Sequence, residues 1–419
     1  MVALGLLHRG FQVHIYERSS AQHEIGAAFA FTAVARDCMA RLSPSVLAAL
    51  SQIGEATKNE IKRYWDGFSP QTKQEAESEE KSLLFSLSTR EPDYWGCLRS
   101  LFLTQMASRL PPDTVQFSKE LESYIDEGSD KVLLRFTDGT TAEADALVGC
   151  DGIHSRTREL LLGESDPASH AHYSHKMVYR ALLPIGDGVK VFGHDKANNH
   201  CMHLGPNAHI TSYPVANWTL LNVVIGIHDT QEWPDISKMV LPSTRDEVKS
   251  AVHNWSPAVQ DLVSMFPKTL SKWGIFDTAR HPASTYARSR VCLVGDSAHA
   301  MSPFMGAGAC MGVEDALVLA TALGSAALTP EYGDRKNKAI SAAFQAYSSL
   351  RLVRSQAVVQ SSRDVGDIYQ WRYPATRQDS TTIETEIKRR TRSLWDFDVE
   401  KMIGQVKDET ESRVRASSS

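Results

Sequence analysis

Short apolar segments that end in acidic turns alternate with helical patterns along much of the chain. Residues 3–8 predict the end of a helix, and residues 11–17 (FQVHIYE) predict a strand that closes on Glu17. Apolar strands followed by acidic turns recur at residues 145–151 and 291–296. This order of elements predicts a wound α/β sheet, in which ligands bind beyond the carboxyl ends of the strands.

Residues 166–276 follow a different pattern, with short apolar runs between turn residues. Strands are predicted over residues 177–183, 190–192, 209–213 and 218–227. Short strands at this spacing are typical of an antiparallel sheet, which gives the chain a second lobe. Outside this region, a hairpin is predicted over residues 131–148, because Asp138-Gly139 favours a tight turn between two strands.

Helical patterns account for most of the remaining sequence. They cover residues 244–266, 317–323, 339–365 and 381–402. The tail beyond Lys407 is polar, and we expect it to fray. Residues 66–93 are polar and charged, and we expect them to form an exposed excursion from the first lobe.

Composition narrows the classes of function. The 419 residues carry a formal net charge of −5 with lysine and arginine scattered, which argues against a nucleic-acid surface. The six cysteines are widely spaced, so we expect buried free thiols in the reducing cytoplasm and predict no metal site. No apolar run approaches the roughly 18 residues that span a bilayer, so no membrane association is expected.

The run from residue 291 to residue 316 carries the most informative chemistry. Gly295-Asp296 places a carboxylate at the end of a strand, where it can accept hydrogen bonds from ribose or ribityl hydroxyls. A loop of small residues then opens a helix, and its backbone N–H groups can approach a flat ring or a phosphate. The candidate residues of this loop are Pro303, Gly306, Gly308 and Ala309. An ordinary strand-to-helix turn would explain Gly-Asp alone, but the whole run favours a flavin site.

Asp151 lies in the other acidic turn, within the pattern Asp-Gly-x-x-Ser-x-x-Arg over residues 151–158. Taken alone, this turn has two open interpretations. Asp151 contacts a cofactor, or Asp151 and Ser155 cap the helix that follows the strand.

Together, the segments GDSAHAMSPFMGAGACMGVEDA and DGIHSRTR resemble the single-component aromatic hydroxylases, the flavoprotein monooxygenases typified by salicylate and para-hydroxybenzoate hydroxylases. The similarity runs from residue 3 to about residue 402 and includes a closing Trp395-x-x-Asp398 segment. It implies an α/β fold with a Rossmann-like FAD lobe, interleaved with a mainly antiparallel substrate lobe and followed by carboxyl-terminal helices.

The same resemblance implies a reaction. FAD would be held non-covalently, NADPH or NADH would be the co-substrate, and O2 would hydroxylate a small aromatic through a C4a-hydroperoxyflavin. Fungal members of the family act on polyketide phenols in secondary metabolism, so a phenolic substrate is expected. Two other classes stay open, namely a non-catalytic remnant that holds no FAD and a flavin epoxidase or oxidase.

Further cofactor contacts follow from the resemblance. Glu17 would bond the adenosine ribose, and Arg18 would lie near the adenine or the phosphates. Gly26 and Ala30 belong to a small-residue segment that passes beside the flavin, and Arg99 partially matches an arginine that opens a helix toward the cofactor. The first strand and the Gly-x-Gly-x-x-Gly turn of such a lobe would precede Met1. A truncated gene model and a product compromised in cofactor binding both stay open.

The fungal members of the resembled family carry an arginine and a tyrosine on two strands of the substrate lobe, and this resemblance implies Arg180 and Tyr213 as the candidate catalytic residues. A guanidinium keeps its proton and holds an oxyanion in a bidentate fashion, and a tyrosine hydroxyl can donate to the same oxygen. Tyr179 and His203 are weaker candidates of the same kind. The alternative is an arginine paired with a surface carboxylate and a tyrosine of the core.

The predicted domains follow the motifs. The FAD-binding domain takes residues 1–65, 94–165 and 277–338, and the substrate domain takes residues 166–276. The carboxyl-terminal helices take residues 339–404, before a tail over residues 405–419. A monomer or a homodimer is expected.

Overall fold

The structure, a computed structural model, describes residues 1–21, 28–56, 61–88, 94–126, 130–329 and 335–416. Within these ranges the strands in chain order are β1 (Ile15–Tyr16), β2 (Ala28–Phe31), β3 (Glu55–Ala56), β4 (Ile61–Asp66), β5 (Leu83–Ser88), β6 (Trp95–Leu98), β7 (Val115–Gln116), β8 (Leu121–Ile125), β9 (Val132–Phe136), β10 (Thr141–Ala144), β11 (Leu147–Gly149), β12 (His172–Pro184), β13 (Cys201–Gly205), β14 (Ala208–Val215), β15 (Leu220–His228), β16 (Val240–Thr244), β17 (Thr269–Asp277), β18 (Ala287–Arg288) and β19 (Val291–Leu293).

The α-helices of the same ranges are α1 (Val2–Leu7), α2 (Ala33–Leu42), α3 (Pro44–Ser51), α4 (Lys73–Glu77), α5 (Glu79–Ser82), α6 (Arg99–Ala107), α7 (Arg156–Leu162), α8 (Ile185–Asn198), α9 (Arg245–Ala251), α10 (Pro257–Ser264), α11 (Asp296–His299), α12 (Gly308–Ala327), α13 (Lys336–Tyr369), α14 (Ser380–Trp395) and α15 (Val399–Ala416). The mixed α/β fold class predicted from the sequence is confirmed.

An eight-stranded sheet forms the second lobe, in the order β16-β17-β12-β15-β14-β13-β4-β5. Its pairings are antiparallel except for β13 with β4, so the predicted antiparallel sheet is confirmed. Because side chains alternate across a strand, one face packs on α8, α9 and α10 through buried residues such as Val223, Ile225 and Leu262. The other face is open to a large cavity.

Two local predictions for this lobe are wrong. Residues 190–192 form part of α8, where Val191 and Phe192 are buried. Two adjacent apolar residues do not distinguish a strand from a helix. The expected exposed excursion over residues 66–93 contains β5, which pairs with β4 at the edge of the sheet and buries Phe85 and Leu87. Apolar and polar residues alternate along β5, and the charged stretch before it masks that short signal.

The first lobe is built from smaller sheets around α12. The predicted hairpin is confirmed, because β9 and β10 pair in antiparallel fashion and Gly139 turns at φ +81°. Strands β11 and β19 pair in parallel, with Gly149 opposite Leu293. That register brings the carboxyl ends of the two strands, and the acidic turns that follow them, side by side.

Helices α12, α13 and α15 pack together behind this sheet. Helix α12 is apolar and long enough to cross a membrane, but 78% of its most apolar stretch is buried inside the protein, as in a core helix. The tail beyond Lys407 does not fray, since α15 continues to Ala416 with Val406, Thr410 and Val414 buried at helical spacing. The helix predicted over residues 244–266 is two helices, with Pro257 in the first turn of the second.

Candidate functional site

The two acidic turns meet at the ends of β11 and β19. The backbone N–H of Val294 donates to the carbonyl of Gly149 at 2.9 Å, which extends the strand pairing by one bond. Ser297, one residue after Asp296, donates its hydroxyl to the same carbonyl at 2.6 Å. The two sequence motifs therefore form one structural unit.

The buried side chain of Arg158 connects the two motifs through hydrogen bonds to backbone carbonyls. Its Nε donates to the carbonyl of Ala168 at 2.6 Å, and its Nη1 donates to the carbonyls of Ser297 and Ala298 at 3.0 and 2.6 Å. Burial lowers the pKa of Arg158 to about 10, so the guanidinium stays charged near neutral pH. The arginine that closes the Asp-Gly-x-x-Ser-x-x-Arg pattern thus holds the backbone that follows Asp296.

Asp151 faces the cavity, but its carboxylate is already engaged by α7. Oδ1 accepts from the hydroxyl of Ser155 at 2.5 Å, and Oδ2 accepts from the backbone N–H and hydroxyl of Thr157 at 2.8 and 2.9 Å. Ser155 in turn caps the helix by accepting the N–H of Arg158. The capping interpretation of this turn is what the contacts show, and a direct cofactor contact by Asp151 stays a prediction.

A buried charge network that the sequence analysis missed supports the other turn. Asp315 accepts the backbone N–H of Gly295 at 2.9 Å, the Nε2 position of His299 at 2.5 Å and the Nε of Arg351 at 2.6 Å. Burial acts to raise the pKa of Asp315, but His299 and Arg351 outweigh it and hold that pKa below its usual range. The sequence did contain a sign of this network, namely the acidic pair Glu314-Asp315 within an otherwise apolar helix. Carboxylates in a buried helix require charged or hydrogen-bonding partners, so the pair indicates that such partners exist elsewhere in the chain.

Asp296 itself takes no part in the hydrogen bonds of that network and lines the cavity. Its side chain is accessible from the cavity and accepts no hydrogen bond from any residue in the described ranges. Desolvation by the surrounding protein raises the pKa of Asp296, while the charges of His299 and Arg99 act to lower it. A carboxylate held open in this way is suited to accept hydrogen bonds from the hydroxyls of a ligand.

The cavity, of about 2510 Å³, brings most of the other predicted contacts together. It is lined by Glu17, Arg18, Ala30, Arg99, Pro303, Gly306, Gly308 and Ala309. Arg99 is the first residue of α6, as predicted, and its guanidinium lies 5.7 Å from the ring centroid of Phe29. Gly26 lies outside the described residues.

The amino terminus of α12 opens onto the same cavity. Gly306 adopts the left-handed conformation at φ +63°, which a residue with a side chain rarely adopts, and it turns the chain into the helix. The helix begins without a side-chain cap at Ala307. Its first N–H groups are therefore available to an acceptor in the cavity.

Arg180 and Tyr213 line the cavity from the eight-stranded sheet. They lie on β12 and β14 with β15 between them, and the register of the three strands places both on the cavity face. The Arg180 guanidinium lies 5.5 Å from the ring centroid of Trp273 and pairs with no carboxylate among the described residues. Burial raises the pKa of Tyr213, and the charge of Arg180 opposes that rise. The alternative in which Arg180 pairs with a surface carboxylate is therefore not what the described structure shows.

The weaker candidates Tyr179 and His203 are wrong, because they lie on the opposite face of the sheet. Tyr179 is buried and donates to Glu247 at 2.8 Å, and His203 stacks on Phe192 with ring centroids 4.5 Å apart. Alternation along a strand separates each of them from its cavity-facing neighbour.

Comparisons with known proteins agree with this geometry. A family profile described as "FAD binding domain" matches residues 100–362. The chain is 51% identical over 417 residues to an FAD-dependent monooxygenase of Aspergillus terreus, covering 99% of this chain and 95% of that protein. It is 39% identical over 430 residues to the salicylate hydroxylase asL1 of Sarocladium schorii, covering 99% of this chain and 89% of that protein. A solved salicylate hydroxylase substrate complex shares the fold with a TM-score of 0.81 at 24% identity, over 97% of this chain and 94% of that one.

Proposed function

The chain belongs to the FAD-dependent monooxygenases, and from that premise we propose that it hydroxylates a phenolic ring held between Arg180 and Tyr213. The cofactor is FAD, and NADPH or NADH is the reductant typical of the family. The observation that carries the proposal is the placement of Arg180 and Tyr213 on one face of the sheet, in the cavity that Asp296 also lines.

The residues of the cavity fit FAD. Asp296 offers an open carboxylate for the cofactor's hydroxyls, and the uncapped start of α12 offers N–H groups to its ring or phosphates. Glu17 also lines the cavity, and there its carboxylate would accept hydrogen bonds from the adenosine ribose. Bound there, FAD would supply the activation of O2.

The chain's own residues would prepare the substrate. Arg180 is a permanent cation without a carboxylate partner in the described ranges, so it would hold the ionised form of a phenol. The ionised oxygen raises electron density in the ring, which makes the ring more reactive toward an electrophilic oxygen. Tyr213, two strands away, would donate to the same oxygen or fix the ring's orientation. The sheet and the start of α12 would exclude water from the space between them.

The proposal also includes a class of phenol and a location of the protein in the cell. A polyketide-derived phenol of secondary metabolism is supported by the fungal origin of the relatives. A cytoplasmic location is supported by six cysteines that are all unpaired, five of them buried.

The test is stoichiometric. The FAD-loaded protein is supplied with NADPH or NADH and a panel of substituted phenols, and oxygen consumed is compared with hydroxylated product and released peroxide. A monooxygenase forms product with each oxygen consumed in the coupled reaction. Peroxide equal to the oxygen consumed, with no product from any phenol, would identify an oxidase and refute the proposal.

A further inference from the structure

Lys62 lies in the same row of the eight-stranded sheet as Tyr213. Strand β4 pairs with β13 with Arg63 opposite Cys201, and β13 pairs with β14 with Cys201 opposite Ser212. One position along, the same register aligns Lys62, His200 and Tyr213 across three neighbouring strands. All three side chains line the cavity.

Among the residues that the structure describes, none places a compensating negative charge beside Lys62. Its ammonium lies 5.3 Å from the ring centroid of Tyr94, whose hydroxyl accepts from the indole N–H of Trp395 at 2.8 Å. Within the described ranges Lys62 forms neither a hydrogen bond nor an ion pair. This contrasts with Lys176 on the same sheet, which is buried and paired with Asp367 at 2.7 Å.

The described titratable groups that face Lys62, namely His200, Tyr64, Tyr213 and Tyr369, are neutral near pH 7. Burial, aided by the charge of Lys62, lowers the pKa of His200 to about 3, so the imidazole is uncharged. Burial raises the pKa values of Tyr64, Tyr213 and Tyr369, so these phenols keep their protons. Burial also lowers the pKa of Lys62 itself to about 8, which leaves it a cation at pH 7. The substrate cavity thus contains a cation that a ligand can neutralise.

We propose that Lys62 binds a carboxylate carried on an arm of the substrate, and so determines specificity for acidic phenols. The phenol itself rests on the proposed function. Lys62 lies four strands from Arg180 in the sheet order, with Tyr213 midway. At about 4.8 Å per strand the two backbones are about 19 Å apart, so the acidic group sits on an extended arm, away from the ring oxygen.

Two compounds of nearly the same shape, one charged and one neutral, distinguish the contribution of charge to binding from that of shape. They are para-hydroxyphenylpropanoate and its primary amide, and calorimetric titration of the FAD-loaded protein gives the dissociation constant of each. The parent protein is expected to bind the carboxylate at least about tenfold more tightly than the amide. Lys62→Met should abolish this preference and leave amide binding within about twofold. Lys62→Arg, which keeps the charge, should retain it.

Each result has one meaning. A parent protein without preference for the carboxylate overturns the proposal, and so does a Lys62→Met protein that weakens both compounds equally. If Lys62→Met does not fold, as judged by its thermal transition, Lys62→Gln is compared in the same way. A clear preference in a protein that hydroxylates no phenol leaves the subsite in place and refutes only the proposed function. Hydroxylation of phenols without any preference refutes only the subsite.

Discussion

The carboxylate of Asp315 accepts the backbone N–H of Gly295 at 2.9 Å, although the two residues belong to a helix and a strand end. The same carboxylate is paired with Arg351 and His299, and all three side chains are fully buried. Because Gly295 directly precedes Asp296, the network fixes the backbone from which the open carboxylate projects. The predicted cofactor contact of Asp296 would therefore be positioned by residues that do not line the cavity.

Replacing Asp315 by Asn should destabilise the protein strongly. The change leaves the buried Arg351 cation with Glu314 alone and removes the partner of His299, and breaking a buried pair costs about 3–5 kcal/mol. Urea unfolding of the two proteins measures the difference. Asp37→Asn, which breaks an exposed pair with Arg41, is the matched control and should cost less than about 1 kcal/mol. Equal effects at the two positions would contradict the role given to the network.

Asp296→Ala should reduce FAD retention and leave the fold intact, because Asp296 accepts no hydrogen bond within the described chain. The loss of a hydrogen bond to a charged group, about 1.5–3 kcal/mol, weakens FAD binding by roughly tenfold or more. Flavin absorbance per protein after gel filtration gives retention, and the thermal transition reports the fold. Asp138→Ala, which removes an equal charge from the exposed hairpin, is the control. Unchanged FAD affinity in Asp296→Ala would show that the assignment is wrong.

Arg180→Lys should lower product formation without changing flavin content. Lysine keeps the charge but loses the planar fork, and a loss of at least about 1.4 kcal/mol corresponds to at least a tenfold lower rate. Tyr213→Phe removes one hydrogen bond of about 1 kcal/mol and should lose less. Peroxide release per oxygen consumed should rise in both variants, because a poorly activated ring reacts slowly.

The control for that series is Arg135→Lys, an exposed position on β9, which should behave like the parent protein. If Arg180→Lys converts every active phenol at the parental rate, Arg180 is a structural residue.

Binding of para-hydroxyphenylpropanoate should weaken as the pH rises through about 8, where Lys62 loses its proton. The sign follows from the charges, because the cation is present below this pKa and absent above it, while the carboxylate stays ionised throughout. Affinity should fall by about the carboxylate-over-amide preference, at least about tenfold in total, and then level off near that of the amide. The amide, measured alongside, corrects for ionisation of the phenol. Lys62→Arg should show no such fall, and a fall of equal size in Lys62→Arg would exclude Lys62 as its cause.

Local patterns in the sequence determined the ligand-binding edge of the first lobe. An apolar strand followed directly by an acidic turn can be recognised locally, so the positions of Asp296 and Asp151 just beyond the strand ends could be predicted. The family resemblance and the chemistry of a guanidinium and a phenol marked Arg180 and Tyr213 as candidates on two strands. They could not show which face of each strand meets the cavity, and so Tyr179 and His203 were also candidates.

Tertiary structure alone decided which distant residues share a site. Arg351 is 36 positions from Asp315, and Lys62 reaches the row of Tyr213 only because β4 joins β13 in parallel. Local sequence periods of 2 and 3.6 residues report the face on which a side chain lies, and carry no information on the partner across that face. The register of the sheet and the burial of α12 supply that partner, which is why the charge network and Lys62 emerge only from the folded chain.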